Sequence, residues 1–230
     1  SNRSISANRK RNIFIVLTIV LASALLSAIV LYGFGVMQET QNRNQKTAQI
    51  MYHAISEQQG QELYKQEEIA WVGEFFNAFS EQVNHSTVNF TYANADMLKS
   101  QSMPYSGDLP ASENEIVVQE SFLDSLGYSN ELGQTIQIPF SDGTTHDFKL
   151  TGILDVKTGD IGRYTAIISK ELVRQQYGDG GMIDYYIGLK GAQNMSEEEA
   201  TNYANTLAQQ LKISDDNVIV RSTSVSYTHL

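Results

Sequence analysis

The residues best suited to catalysis or metal binding are widely separated in this chain of 230 residues. Its four histidines are His53, His85, His146 and His229, and none lies in H-E-x-x-H or in another short ligand spacing. We therefore expect each histidine to be solvated or packed in the core rather than bound to a metal. The chain has no cysteine, which excludes a thiolate nucleophile, a thiolate metal ligand and a disulfide.

The remaining motifs do not form a catalytic site either. Nothing matches G-x-x-x-x-G-K-[ST] or G-x-S-x-G, and the D-x-[DN]-x-[DN]-G start of a calcium loop is absent. Gly178-Asp179-Gly180-Gly181 lacks the flanking strand and helix of a dinucleotide site and is typical of a helix stop. The runs Glu197-Glu198-Glu199 and Asp215-Asp216 indicate a helix start and a turn. We predict no catalytic, cofactor-binding or metal-binding residue, no cofactor and no enzymatic activity.

Charge is distributed unevenly along the chain. The formal net charge is −10, from 16 basic and 26 acidic residues, and 41% of residues are hydrophobic, enough for a real core. Arg3, Arg9, Lys10 and Arg11 lie in the first twelve residues, which contain no acid. The remainder is therefore strongly acidic and repels phosphate backbones, so we expect no nucleic-acid partner.

An apolar run follows the basic cluster. Residues 13–32 read IFIVLTIVLASALLSAIVLY, and as a helix they would span about 30 Å, the thickness of a bilayer core. We predict a cytoplasmic basic N-terminus over 1–12, a transmembrane helix over 13–37 and an extracytoplasmic domain over 38–221. A cleaved signal peptide is the alternative, but its apolar region is usually only about 7–15 residues long.

Apolar periodicity in the exterior segment predicts short strands and helices in alternation. In the first third, these are a strand over 47–56, a helix over 61–68, a buried strand over 69–79, a strand over 87–92 and a helix capped by Asn94 through Lys99. The middle third begins with a strand over 115–119 and a helix over 120–126 that Gly127 ends. A hairpin follows: an edge strand over 135–140 that contains Pro139, a turn at 141–144, and a return strand that carries Phe148, Leu150 and Leu154 and is interrupted by Gly152. The middle third closes with a strand over 164–168 and a helix capped by Ser169. In the last third, these are a strand over 183–189, a capping box at Ser196 and Glu199, an apolar helix stripe over 200–211 and a closing strand over 217–221.

This order predicts an α+β fold: one N-terminal transmembrane helix followed by an extracytoplasmic mixed α/β domain. Strand–helix–strand patterns at both ends suggest a split β-α-β porter-like half over 47–100 and 181–221. The segment 101–180 then forms an inserted β-rich subdomain.

Five short motifs follow one another in the segment 107–154. They are Gly107-Asp108-Leu109-Pro110, Asn114-Glu115-Ile116-Val117-Val118, Leu126-Gly127, Leu132-Gly133-Gln134-Thr135-Ile136 and Phe148-Lys149-Leu150-Thr151-Gly152-Ile153-Leu154. In this order they resemble the MacB-like periplasmic core domain of MacB/FtsX-type ABC transporter permeases. These steps follow one basic-flanked membrane helix, and the resemblance extends over about residues 5–221. Asp108 is a departure, since many members have arginine there.

The resemblance implies a permease subunit that couples ATP hydrolysis by a separate cytoplasmic ABC ATPase to export or to extracytoplasmic force transmission. It also implies a homo- or heterodimer of permeases in the membrane and a peptide, antibiotic or lipoprotein cargo. Members have four membrane helices, and no second apolar run follows residue 37. We therefore expect an N-terminal fragment whose residues 222–230 form a truncated or non-native tail.

Two other classes of protein fit the same features. A membrane-anchored sensor or ligand-binding ectodomain would also be an α/β domain without catalytic residues. An anchored hydrolase would need a histidine and a carboxylate to converge in a pocket, and the sequence contains no motif for one. The resemblance favours the permease.

Overall fold

A computed structural model describes residues 20–30, 32, 47–156, 163–178 and 183–221. The chain forms two compact units, residues 1–44 and residues 45–230. Each unit is described by itself below.

In the first unit, residues 20–30 are helical. The hydroxyls of Ser23 and Ser27 donate hydrogen bonds back to the carbonyls of Val20 (3.0 Å) and Ser23 (2.8 Å), and Leu25, Leu26 and other large apolar side chains are exposed. Among the described helices, none has both the length and the apolar character to cross a membrane. Much of the predicted transmembrane helix over 13–37, like the predicted cytoplasmic N-terminus and the tail over 222–230, lies outside the described residues.

The second unit contains one ten-stranded mixed sheet and five α-helices within the described residues. The strands are β1 (Ile50–Tyr52), β2 (Ile69–Val83), β3 (Ser86–Ala93), β4 (Tyr105–Gly107), β5 (Glu115–Gln119), β6 (Thr135–Pro139), β7 (Thr145–Leu154), β8 (Arg163–Ile168), β9 (Asp184–Leu189) and β10 (Val218–Val220). The helices are α1 (Glu57–Leu63), α2 (Ala95–Ser100), α3 (Glu120–Leu126), α4 (Lys170–Tyr177) and α5 (Glu197–Leu211). The sheet order is β10-β1-β9-β2-β3-β8-β5-β7-β4, and β6 pairs with β7.

Two split β-α-β units interlock at one end of this sheet. The strands β1 and β2, joined by α1, are both antiparallel to β9, which lies between them. The strands β9 and β10, joined by α5, are both antiparallel to β1, which lies between them. The split β-α-β prediction therefore describes this end of the sheet, and the prediction of a mixed α/β domain is confirmed.

We call β10, β1, β9, β2 and β3 the first sheet part, and β8, β5, β7, β4 and β6 the second sheet part. Within the described residues, the two parts meet where β3 and β8 pair in parallel, a contact that we call the seam. Because both parts belong to one continuous sheet, the division into a porter-like half and an insert over 101–180 stays a prediction.

The core divides into clusters on the two faces of the sheet. Helix α5 packs Ala204 and Leu207 against β1 and β9 of the first part, whereas α3 and α4 pack on the second part beside Ile116 and Val118. Val117, between those two residues, belongs to a third cluster with α2. Since successive side chains of a strand point to opposite faces, α2 lies on the face opposite α3 and α4. Strand β2 reaches both main cores, with Val72 in the first and Val83 in the second.

Several local predictions are confirmed. Helix α3 ends at Gly127, whose φ of 80° is the left-handed cap conformation, and Asn94, Ser169 and Ser196 each accept a backbone hydrogen bond as N-caps. Strand β6, which ends at Pro139, has β7 as its pairing partner in the described sheet. On β7, the register against β5 shifts between Leu150 and Gly152, so the predicted strand interruption is a bulge.

Two predicted elements were wrong at the start of the domain. The strand predicted over 47–56 is only Ile50–Tyr52, because Ala54 adopts a left-handed φ of 46° that ends the strand. The helix predicted over 61–68 is α1, Glu57–Leu63, since Ser56 and Gln59 form a capping box that starts it earlier.

The second strand is longer than predicted. Strand β2 runs to Val83, not Phe79, and turns into β3 through Asn84 and His85, whose φ values of 48° and 66° fit a tight two-residue hairpin. Strand β4 was not predicted.

Candidate functional site

The three histidines that the structure describes lie apart from one another. His53 is exposed and its Nδ1 lies 2.7 Å from Asp184 Oδ1, His85 lies in the β2–β3 turn, and His146 packs on the Phe140 ring at 4.2 Å. His229 lies outside the described residues. Across the described ranges, no three histidine, aspartate or glutamate side chains are grouped to hold a metal.

The acidic runs have local structural roles. Glu199 completes the predicted capping box with Ser196, and Asp215 and Asp216 lie in a one-turn 3-10 helix. The backbone N–H and the hydroxyl of Ser196 both donate to the Glu199 carboxylate and lower its pKa.

The most unusual polar group in the described chain is the buried carboxylate of Glu74 on β2. Its Oε1 accepts a hydrogen bond from the Tyr64 hydroxyl at 2.7 Å, and its Oε2 accepts one from the Tyr92 hydroxyl at 2.7 Å. The ammonium of Lys170 on α4 lies 2.8 Å from the same Oε2. A buried charge must be paired and hydrogen-bonded to be tolerated, and these three donors meet that need.

A second carboxylate shares the lysine. Lys170 Nζ lies 3.3 Å from Glu57 Oε1 on α1, and Arg174 of α4 also pairs with Glu57. Burial raises the pKa of Glu57, but the bonds and charges of Arg174 and Lys170 outweigh it and hold that pKa below its usual range. We call Glu57, Glu74, Lys170 and Arg174 the ion cluster.

Local structure positions three members of the ion cluster: Glu74, Lys170 and Arg174. Lys170 and Arg174 lie one turn apart on α4, which Ser169 caps. Asn94 holds β2 beside the cluster, because its Oδ1 accepts from Glu74 N at 3.0 Å and its Nδ2 donates to the Val72 carbonyl at 2.9 Å.

Tyrosines line the ion cluster as donors. Burial, followed by the interaction with Glu74, raises the pKa values of Tyr64 and Tyr92. Burial also raises the pKa of Tyr185, whose hydroxyl is buried and has no hydrogen-bond partner within the described residues. The Tyr185 ring lies so close to Gly60 that a Cβ there would be 2.1 Å from it. Tyrosines that stay protonated donate hydrogen bonds and do not act as bases.

The ion cluster is better suited to holding parts of the domain together than to catalysis. Glu74 lies on β2 of the first sheet part and Glu57 on α1, which joins β1 to β2, whereas Lys170 and Arg174 lie on α4, the helix that follows β8 of the second part. Two carboxylates and two cations balance in charge across the seam. Removing one partner of a buried pair typically costs about 3–5 kcal/mol, because the other charge is left buried without compensation. The largely buried Glu74–Lys170 pair is therefore a contact between the two sheet parts whose partial loss would destabilise the domain.

Sequence reasoning missed the ion cluster. The available signal was the single carboxylate at Glu74 inside the apolar, aromatic strand, which predicts a buried partner of opposite charge. Its partner Lys170 is 96 residues away, so no local pattern could identify it.

The fold agrees with comparisons to known proteins. A family model for the MacB-like periplasmic core domain matches residues 13–220. The chain therefore belongs to the MacB-like periplasmic core domain family and is a MacB-like extracytoplasmic domain of an ABC transporter permease, as the sequence resemblance predicted. Domains of this family are permease periplasmic domains rather than catalytic domains, and MacB-like permeases partner with cytoplasmic ATPases.

Three solved structures share the fold. The periplasmic region of MacB from Actinobacillus actinomycetemcomitans has a TM-score of 0.53 and 12% identity, covering 75% of this chain and 87% of that one. The extracellular domain of the noncanonic ABC-type transporter YknZ from Gram-positive bacteria has a TM-score of 0.53 and 11% identity, covering 76% and 100%. A domain of a protein described as a permease from Porphyromonas gingivalis has a TM-score of 0.54 and 8% identity, covering 79% and 92%. A comparison with curated proteins gave no match.

Proposed function

We propose that this chain is a permease subunit that couples ATP hydrolysis by a separate cytoplasmic ATPase to motion of its extracytoplasmic domain. The observation that carries the proposal is the extent of the family match, residues 13–220. The match begins at the start of the apolar run and ends at β10, so the run and the domain belong to one matched module. The solved relative named as a noncanonic ABC-type transporter supports the same role.

The proposed topology follows from charge. The basic residues of segment 1–12 stay in the cytoplasm, residues 13–37 span the membrane and residues 38–221 lie outside it. A dimer of such subunits, homo- or heteromeric, would present two exterior domains to a peptide, antibiotic or lipoprotein cargo.

The proposed mechanism uses the ion cluster as a rigid connection. Closure of the membrane helices on ATP binding shifts each exterior domain between two discrete arrangements. Because the ion cluster joins the two sheet parts across the seam, the domain moves as one body and the displacement is not lost in bending of the sheet.

Topology can be tested with introduced thiols, since the chain has no cysteine. Ser6→Cys lies in the basic N-terminus, and Ser214→Cys lies at an exposed position before β10. In intact cells, a membrane-impermeant maleimide should label only the second variant, while a permeant maleimide labels both as the matched control. Labelling of Ser6→Cys by the impermeant reagent would overturn the topology.

Coupling can be tested in native membranes that contain the cognate ATPase. Thiol crosslinking between exterior domains that carry Ser214→Cys should change when ATP is added and when hydrolysis is trapped with vanadate. An unchanged crosslinking pattern beside an active ATPase would reject force transmission and favour an anchored ligand-binding ectodomain.

A further inference from the structure

A cavity of about 240 Å³ lies on the sheet face that α2 partly covers, opposite α3 and α4. It crosses the seam, because its floor combines β2 and β3 of the first sheet part with β8 of the second. The register places Asn77 beside Thr91 and Asn89 beside Thr165. Thr91 is buried, and Asn89 and Thr165 are half-buried.

The polar groups of this floor are arranged as hydrogen-bond donors and acceptors. Thr91 Oγ1 lies 3.5 Å from Asn77 Oδ1, and Ser80 donates to Asn89 Oδ1 at 2.7 Å. The Asn89 oxygen is therefore engaged, whereas the Asn77 oxygen makes only a long contact, and both Nδ2 groups are donors with no hydrogen-bond partner among the described residues. The hydroxyl of Thr165 adds a group that both donates and accepts.

The lining carries no charged side chain, although 18% of the residues in the chain are charged. An ionised ligand would lose hydration there without gaining a countercharge, so the cavity favours an uncharged ligand. Phe75 supplies an aromatic surface at one wall, and Gln101 supplies a further amide at the rim.

We propose that this cavity binds one ring of a neutral saccharide. Amide and hydroxyl side chains match sugar hydroxyls in both hydrogen-bonding roles, and an aromatic ring packs against the apolar face of a sugar. The volume is below the usual range of about 300–1,000 Å³ for drug-sized ligands, which suits a single ring. A peptide strand fits less well, because β3 and β8 are each paired on both sides and present no free backbone edge.

The proposed saccharide contacts both sheet parts, since Asn77, Asn89 and Thr91 belong to the first and Thr165 to the second. Its binding is a property of the domain that does not depend on ATPase coupling. Failure of either proposal would therefore leave the other standing.

The test is an NMR titration of the ¹⁵N-labelled 230-residue chain in phospholipid nanodiscs. N-acetylglucosamine is the neutral sugar, glucosamine and glucuronate are its cationic and anionic counterparts, and N-acetylalanine amide is a neutral peptide unit. The side-chain amide signals of Asn77, Asn89 and Gln101 should shift and saturate in the millimolar range with the neutral sugar. Both charged sugars should bind at least tenfold more weakly.

Variants locate the binding. Thr165→Val keeps the side-chain shape and should weaken N-acetylglucosamine binding at least fivefold, whereas Thr206→Val, an exposed threonine on α5, should leave it unchanged. Gln101→Ala, at the exposed rim, should weaken binding without disturbing the sheet and serves if Thr165→Val does not fold. The proposal is overturned by absence of saturable shifts, by equal binding of charged sugars, by tighter binding of N-acetylalanine amide, or by unchanged sugar affinity in folded cavity variants.

Discussion

Gly107 on β4 and Gly152 on β7 face each other across an antiparallel pair, at a point where the backbones leave no room for a side chain. A Cβ on Gly107 would lie 2.3 Å from the Thr151 carbonyl oxygen, and one on Gly152 would lie 2.6 Å from the Ser106 carbonyl oxygen. Both glycines belong to the motif that carried the family resemblance. Both positions therefore require glycine, because the backbones of β4 and β7 approach each other too closely at the bulge on β7 to leave room for a Cβ.

We expect Gly107→Ala to lower the free energy of unfolding by about 2 kcal/mol or more, because its φ of 82° is strained for alanine and backbone atoms of β7 must also move. Urea denaturation followed by circular dichroism measures the change. Gly143→Ala is the matched control: its φ of 86° is also strained for alanine, but nothing lies within 4 Å of the added Cβ, so the loss should be about 1 kcal/mol. Equal losses in the two variants would contradict the close-approach argument.

Removing the lysine of the ion cluster should be costly. Lys170→Met leaves the Glu74 carboxylate buried without its cation and should lower the free energy of unfolding by about 3 kcal/mol. Adding Glu74→Gln should restore part of that loss, since the uncompensated charge is then gone. Lys65→Met, which breaks the exposed pair with Glu62, should cost no more than about 0.5 kcal/mol.

A double-mutant cycle through Lys170→Met and Glu74→Gln measures the coupling between these two side chains directly. A coupling energy near zero would show that the two residues do not stabilise each other.

The stability of the domain should depend on pH through the Glu57 carboxylate. Its folded-state pKa lies below its ordinary value, so its contribution is fully present above the unfolded pKa of about 4.5 and is lost as pH falls through the folded value. Thermal unfolding between pH 7 and pH 3 should show a falling midpoint below about pH 5. Glu57→Gln should reduce that pH dependence, and an unchanged slope in this variant would assign it to other carboxylates.

The N-cap of α5 gives a smaller, local effect. Ser196→Ala removes the hydroxyl that accepts from Glu199 N at 3.1 Å and should lower the free energy of unfolding by about 1 kcal/mol. Ser214→Ala is the control, because Ser214 precedes a short helical turn without a side-chain cap bond, and it should change stability by less than about 0.5 kcal/mol. Similar losses at both serines would contradict the assigned cap.

Local chemistry allowed much of this fold to be predicted. Strand β5 and helix α3 have their predicted bounds, because a short β-branched run precedes a helix that Gly127 ends. Helix α1 was predicted too late in the chain, because the prediction followed the polar residues 61–68 and overlooked the capping box that Ser56 and Gln59 form. The sheet order at the seam and the ion cluster could not be predicted, since both depend on contacts between residues distant in sequence.

Strand β2 extends for 15 residues, roughly 50 Å at about 3.3 Å per residue, and runs without a chain break from one hydrophobic core into the other. Val72 and Val83 therefore lie in different cores but on one strand, and no loop separates them. The bulge between Asn77 and Phe79 lies between these two valines, so the register against β3 changes on the way from one core to the other while the strand itself continues.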